Sequence, residues 1–335
     1  VPDNIPTVDH AFTDRFQAKG FLYGCYSFLP NHANPETNPA FFAGDECWTY
    51  REMEQSRYMN YRMWTIAVGD QGTEKPIADF WASTQDGYAL EGGTALFTGM
   101  RDCNIFLENI SKPRDLEEWE REYWTGEVLA LKAYYHFWLF RMYGPIPLIK
   151  ENIPISVSDI QLYREPVDSV VNYIVQLLDE AIDLLPMQVE NLADDLGRMT
   201  KPIAAALKGQ VLTYAASPMY NGNALYADMI DSRGLQLFPQ EYQPEKWEWA
   251  ANALSEAIAI CHEAEHQLYY FTQSGLASSL NDTTVVCMNL RGAATERWND
   301  EIVWGSTRST TNLQKNCVIA FSGVSSDAAV IGRQM

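Results

Sequence analysis

Apolar residues between Trp119 and Tyr143 return every three or four positions: Trp124, Val128, Leu131, Tyr135, Trp138 and Met142 fall in step. That spacing predicts an α-helix, about 37 Å long at 1.5 Å per residue. Its polar positions Arg121, Thr125, Lys132 and His136 share one narrow stripe, and the rest is apolar nearly all round. A helix of that kind is enclosed by other helices. Gly144 and Pro145 stop it. The same reading predicts helices over about 9–28, 94–110, 166–185, 201–217 and 244–265. Pro166 and Pro202 stand where a first helical turn tolerates proline.

Between helices the chain turns briefly, except for the stretch from Ser217 to Gln243, which is long enough to be a surface excursion or a functional loop. The segment NHANPETNPA is turn-rich, and residues 41–93 are aromatic without a sustained period. The expected architecture is therefore mainly α. Tetratricopeptide-like helix pairs form an α-α superhelix with long, irregular, aromatic-rich loops. We expect one domain over 1–335, with 94–265 as the helix-pair scaffold and 30–93 and 266–335 irregular.

Composition narrows the partners. The chain has 335 residues, a formal net charge of -20 and 44 acidic against 24 basic residues. Such a balance repels nucleic acid and anionic membrane surfaces. No run of 18 apolar residues free of charge occurs, so no helix is expected to span a bilayer. Six cysteines are scattered without a CxxC pair, which argues against a zinc knuckle or a redox dithiol. Cys25, Cys103 and Cys261 lie on apolar helical segments and are expected to be buried as small hydrophobes.

Several short motifs occur together and in order. Cys103-Asn104 opens one helix; Glu127 and Lys132-Ala133 follow on the aromatic helix, which closes with Tyr143-Gly144-Pro145-Ile146-Pro147-Leu148. Further on come Arg164-Glu165-Pro166-Val167, Gly197-Arg198-Met199-Thr200-Lys201-Pro202, Ser217-Pro218-Met219-Tyr220-Asn221, Trp247 with Ala250 and Ala253, and Asn299-Asp300-Glu301-Ile302-Val303-Trp304. This series resembles the SusD/RagB family of outer-membrane nutrient-binding lipoproteins over residues 101–304. Lys132 stands where that family more often has Arg, and 299–304 resembles a strand-like segment. The resemblance implies a non-catalytic protein on the outer surface of a Bacteroidetes-type outer membrane. Its membrane contact would be only through a lipid on a cysteine ahead of Val1. The resemblance also implies a partner, a SusC-like TonB-dependent transporter that imports the captured oligosaccharide or polysaccharide, and a further C-terminal region after Met335.

Enzyme chemistry has one local candidate. His262-Glu263-Ala264-Glu265-His266 fits HExxH, in which two histidines one turn apart hold zinc and the glutamate activates water. No histidine follows His266, and the segment falls at an expected helix end. Acidic pairs such as Asp45-Glu46, Glu117-Glu118 and Asp194-Asp195 do not by their sequence spacing make a glycosidase pair. No GxSxG, P-loop or complete Rossmann glycine pattern is present. No catalytic residue, metal ligand or cofactor is therefore expected.

Aromatic residues outside the helices are the better clue. Flat rings offer a low-entropy platform for the apolar faces of sugars, and nearby Asp, Asn and Arg can bond hydroxyls. Trp48, Tyr50, Trp64, Trp81 and Tyr88, with Trp298 and Asn299, are the candidate ligand contacts. Trp119, Trp124, Trp138, Trp247 and Trp249 are expected to be structural, and the 101–150 segment to touch no ligand. Three other readings stay open: capture of a peptide or glycoprotein-derived ligand, a zinc hydrolase using His262, Glu263 and His266, and a helical scaffold for protein partners.

Overall fold

The computed structural model describes residues 8–30, 32, 38–44, 66–69, 72, 79–81, 95–153, 161–272 and 280–307. Seven helices longer than one turn carry these residues: α1 Arg15–Tyr26, α2 Leu96–Asn109, α3 Glu118–Tyr143, α4 Val167–Leu184, α5 Lys201–Ala216, α6 Glu245–Glu263 and α7 Asp282–Thr295. No strand occurs among the described residues; the sole bridge joins Ile230 and Gln236. Consecutive helices pack on one another from α2 through α6, and α1 covers α2 and α3.

The first expected helix is divided. A 3-10 segment spans Val8–Phe12, and α1 restarts after Asp14, whose carboxylate accepts the Gln17 N–H at 2.9 Å. An aspartate in this position satisfies an otherwise orphaned amide and so begins a helix. The region after 265, expected to be irregular, contains α7, capped by the Asn281 side chain on the Thr284 N–H. Residues 299–304 form turns instead of a strand-like segment: the Asn299 side chain accepts the Glu301 N–H, and its carbonyl accepts that of Ile302.

Helix α3 is the axis of the core. Seventeen of its residues are buried, including Glu127, Lys132 and His136. Each of these polar groups has a partner inside. Lys132 donates to the Lys150 carbonyl at 2.8 Å. His136 places Nδ1 on the Lys132 carbonyl at 2.7 Å, and its Nε2 accepts the Ile149 N–H at 3.3 Å. The exit segment 144–150 is thus tied back to the helix it leaves. Gly144 makes that exit with φ +68, a left-handed backbone that glycine adopts without strain. Gly126 lets α4 close on α3, since a Cβ there would lie 3.0 Å from the Leu184 Cβ.

The 217–244 excursion packs as structure. Phe238 stacks on Tyr226 at 4.3 Å, Tyr220 lies 4.5 Å from Phe140 of α3, and the Val167 N–H donates to the Leu237 carbonyl. Cys25 and Cys103 are buried as expected, whereas Cys261 is half-buried. Trp124 and Trp138 are core residues, whereas Trp119, Trp247 and Trp249 are 52%, 43% and 52% exposed and lie at the surface of their helices. No helix among the described residues is long and apolar enough to cross a membrane.

Candidate functional site

Two of the quoted motifs meet in a buried ion pair. Arg198, from the turn before α5, grips Glu127 of α3 with Nε–Oε1 at 2.8 Å and Nη2–Oε2 at 2.6 Å. Its third nitrogen donates to Asp195 at 2.9 Å, and its plane lies 4.6 Å over Tyr123. The Tyr26 hydroxyl donates to the Glu127 carboxylate and accepts the Met199 N–H. Burial pushes the Glu127 carboxyl up, and the guanidinium pulls it back. Burial and the adjacent Glu127 push the Tyr26 hydroxyl well above its ordinary value. This network fixes α1, α3 and the 191–200 turn to one another.

On the outer side of that network opens a groove of about 800 Å³. Its aromatic walls are Tyr23 and Tyr26 from α1, Tyr134 from α3, and Trp304, with polar groups from His32, Arg141, Asp194 and Gln210. The indole N–H of Trp304 donates to the Gly197 carbonyl at 3.2 Å, and its ring meets Tyr134 edge-on at 5.1 Å. The Tyr134 hydroxyl lies 2.5 Å from His32 Nε2, and burial pushes its pKa up to about 12. Partial desolvation of the His32 ring, and secondarily the Arg141 charge, lowers its pKa. Arg141 sits 4.7 Å from both the Phe137 and Trp138 rings. The polar ends of Tyr26, Tyr134 and Trp304 are held by protein; Tyr134 is buried, and Tyr23 and Trp304 keep exposed ring surface.

The sequence-derived candidates divide. Trp48, Tyr50, Trp64 and Tyr88 lie outside the described residues. Trp81 is half-buried between Phe97 at 4.8 Å and Tyr143 at 5.4 Å, with Arg164 over its ring, and it is not among the groove residues. Trp298, at φ +56, packs over Gly305 in an adjoining cleft of about 250 Å³ that shares Gly197, Arg198 and Trp304 with the groove. Asn299 spends its amide on the Ala293 and Glu296 carbonyls. Tyr23, Tyr26, His32, Tyr134 and Arg141 were not expected, and the 101–150 segment does line the groove. Tyr134 and Arg141 stand seven residues apart, hence on one helix face, which is the signal the sequence held.

The HExxH segment does not lie on one helical face. Helix α6 ends at Glu263, and Glu265 takes φ +67. The Glu265 N–H donates to His262 and the His266 N–H to Cys261, a terminating motif that turns His266 away from the helix. His266 instead places Nδ1 3.2 Å from the Asp300 carbonyl. Among the described residues no three His, Cys, Asp or Glu side chains gather to hold a metal.

Comparison with known proteins fits this architecture. The SusD-like family described as "Starch-binding associating with outer membrane" matches residues 40–212. The chain belongs to the SusD-like family. Among solved structures it is similar to BT4246, with a TM-score of 0.73 and 25% identity over 88% of this chain and 51% of that one. It is also similar to the SusD-like protein BF3747 from Bacteroides fragilis NCTC 9343, with a TM-score of 0.50 and 19% identity over 79% of this chain and 41% of that one. A third is B. fragilis NanU, with a TM-score of 0.50 and 14% identity over 82% and 48%. At their identities the last two show the fold alone. The chain spans about half the length of these structures, 51% of BT4246. No match was found among curated proteins.

Proposed function

We propose that this SusD-like chain captures oligosaccharide or polysaccharide in the groove between α1, α3 and Trp304, without cleaving it. The observation that carries the reading is the groove itself: about 800 Å³ walled by Tyr23, Tyr26, Tyr134 and Trp304 and edged by His32, Arg141 and Gln210. Apolar walls with a few polar groups are the composition of a ligand site, and aromatic faces suit sugar rings. Glycoside cleavage uses two carboxyl groups placed across the bond. Among the described residues that line the groove, Asp194 alone carries one.

Family membership supports a place at the outer membrane, where the captured glycan passes to a SusC-like TonB-dependent transporter for import. Micromolar to millimolar affinity, about 4–8 kcal/mol, allows both capture and release. Trp298, in the adjoining cleft, and Trp48, Tyr50, Trp64 and Tyr88 are assigned to further contact with a long glycan.

A glycan array probed with the parent, Trp304→Ala and Trp81→Ala tests the reading. Retention of one glycan class by the parent and by Trp81→Ala, with loss in Trp304→Ala, is expected. Equal binding by all three removes the groove as the site. Co-purification of the membrane-anchored protein with a TonB-dependent transporter tests delivery, and recovery of the protein alone counts against it.

A further inference from the structure

Four arginines among the described residues are matched to carboxylates. Arg15 holds Glu120, Arg121 holds Glu118, Arg198 holds Glu127 and Asp195, and Arg233 holds Glu165 and Asp231. Arg141 differs. It projects from the last turn of α3 into the groove, half-buried, and no carboxylate among the described residues pairs with it. Its neighbours are the rings of Phe137 and Trp138 at 4.7 Å and Tyr214 at 5.9 Å, and it hydrogen-bonds the Tyr134 hydroxyl. Aromatic faces hold a guanidinium in place without neutralising its charge. The guanidinium has five donors, so those not given to Tyr134 stay able to take a carboxylate.

We propose that the groove selects an acidic oligosaccharide, one bearing a carboxylate on a sugar ring, with Arg141 as the specificity-determining residue. This rests on the glycan-capture reading and deepens it. The carboxylate would lie at the Arg141 end, with a neighbouring ring on Trp304. The other charged residues on the groove are Asp194 and Arg198. Arg198 is neutralised by Glu127 and Asp195, and Asp194 bonds Asn191 on the 191–198 turn. Arg141 is therefore the cation available to a ligand among the groove's described residues. The formal net charge of -20 opposes an anionic ligand at long range. At physiological ionic strength the screening length is about 8 Å, so the contact charge decides.

Calorimetric titration of a heptagalacturonide and of maltoheptaose into the parent, Arg141→Gln and Arg141→Lys tests this. The parent is expected to bind the uronide at least tenfold more tightly. Arg141→Gln should abolish that ratio by weakening the uronide more than maltoheptaose, while Arg141→Lys should keep part of the preference. Thermal unfolding checks each variant, and if Arg141→Gln does not fold, the Lys variant's intermediate ratio carries the test. Equal affinities in the parent, a maltoheptaose preference, or a ratio unmoved by either substitution overturns the proposal and leaves glycan capture standing. Binding of neither oligosaccharide overturns both.

Discussion

Replacing Arg198 with Met keeps the aliphatic stem but removes the guanidinium, and leaves Glu127 wholly buried with one hydrogen bond from Tyr26. Stranding one member of a buried ion pair costs about 3–5 kcal/mol. The magnitude can be worked from the escape route open to Glu127, which is to take up a proton on folding. From an unfolded pKa of about 4.3, that costs about 1.36 × (7 − 4.3), or about 3.7 kcal/mol, at pH 7, and about 1 kcal/mol at pH 5. Lost packing over Tyr123 adds about 1 kcal/mol. Urea unfolding followed by circular dichroism should therefore show a deficit of about 4–5 kcal/mol at pH 7, shrinking to about 2 kcal/mol at pH 5. The double variant Glu127→Leu with Arg198→Met should recover most of it, since an apolar pair of similar volume replaces the ions. A deficit under about 1 kcal/mol at pH 7, or one of the same size at both pH values, would refute the reasoning.

Three further outcomes follow from the same geometry. Burial holds the His136 pKa down at about 3, so the unfolded chain takes up this proton first. Stability is whole above about pH 6.5 and falls by up to about 5 kcal/mol as pH drops toward 3; His136→Asn should flatten that limb in acid titration of unfolding. Glu265→Gly relieves a left-handed residue at the end of α6 and should raise stability by about 1 kcal/mol, read as a higher urea midpoint; no gain would mean the turn is not as described. Gly222→Ala sets a Cβ 2.8 Å from the Tyr242 backbone nitrogen at φ +77 and should cost about 2 kcal/mol or more; a neutral result would show that the 217–244 excursion yields freely.

The helices were legible because their apolar periods are long and their stops are chemical: Gly144-Pro145, Pro166 and Pro202 bound three of them. Asp14 and Asn281, both side-chain caps, each sit inside a stretch whose apolar period is weak, so periodicity alone runs α1 too long and gives no sign of α7. The quoted motifs were visible as separate strings. What joins them is physical: Glu127 binds Arg198, Lys132 binds the exit segment at Lys150, and Tyr143 accepts the Phe80 N–H. The groove was harder to read. Tyr134 and Trp304 are 170 positions apart and meet only in three dimensions. Trp298 came near the site, while Trp81 turned onto Phe97 and Tyr143, because an aromatic in a loop has no period to say which way it faces.

The central claim is that the Trp304 groove holds a sugar ligand. Its most direct test is calorimetric titration of the tightest-binding oligosaccharide from the array into the parent and Trp304→Ala. The account predicts a micromolar to millimolar dissociation constant in the parent and a loss of about tenfold, or about 1.4 kcal/mol, in the variant. Unchanged affinity in a folded Trp304→Ala protein would contradict it.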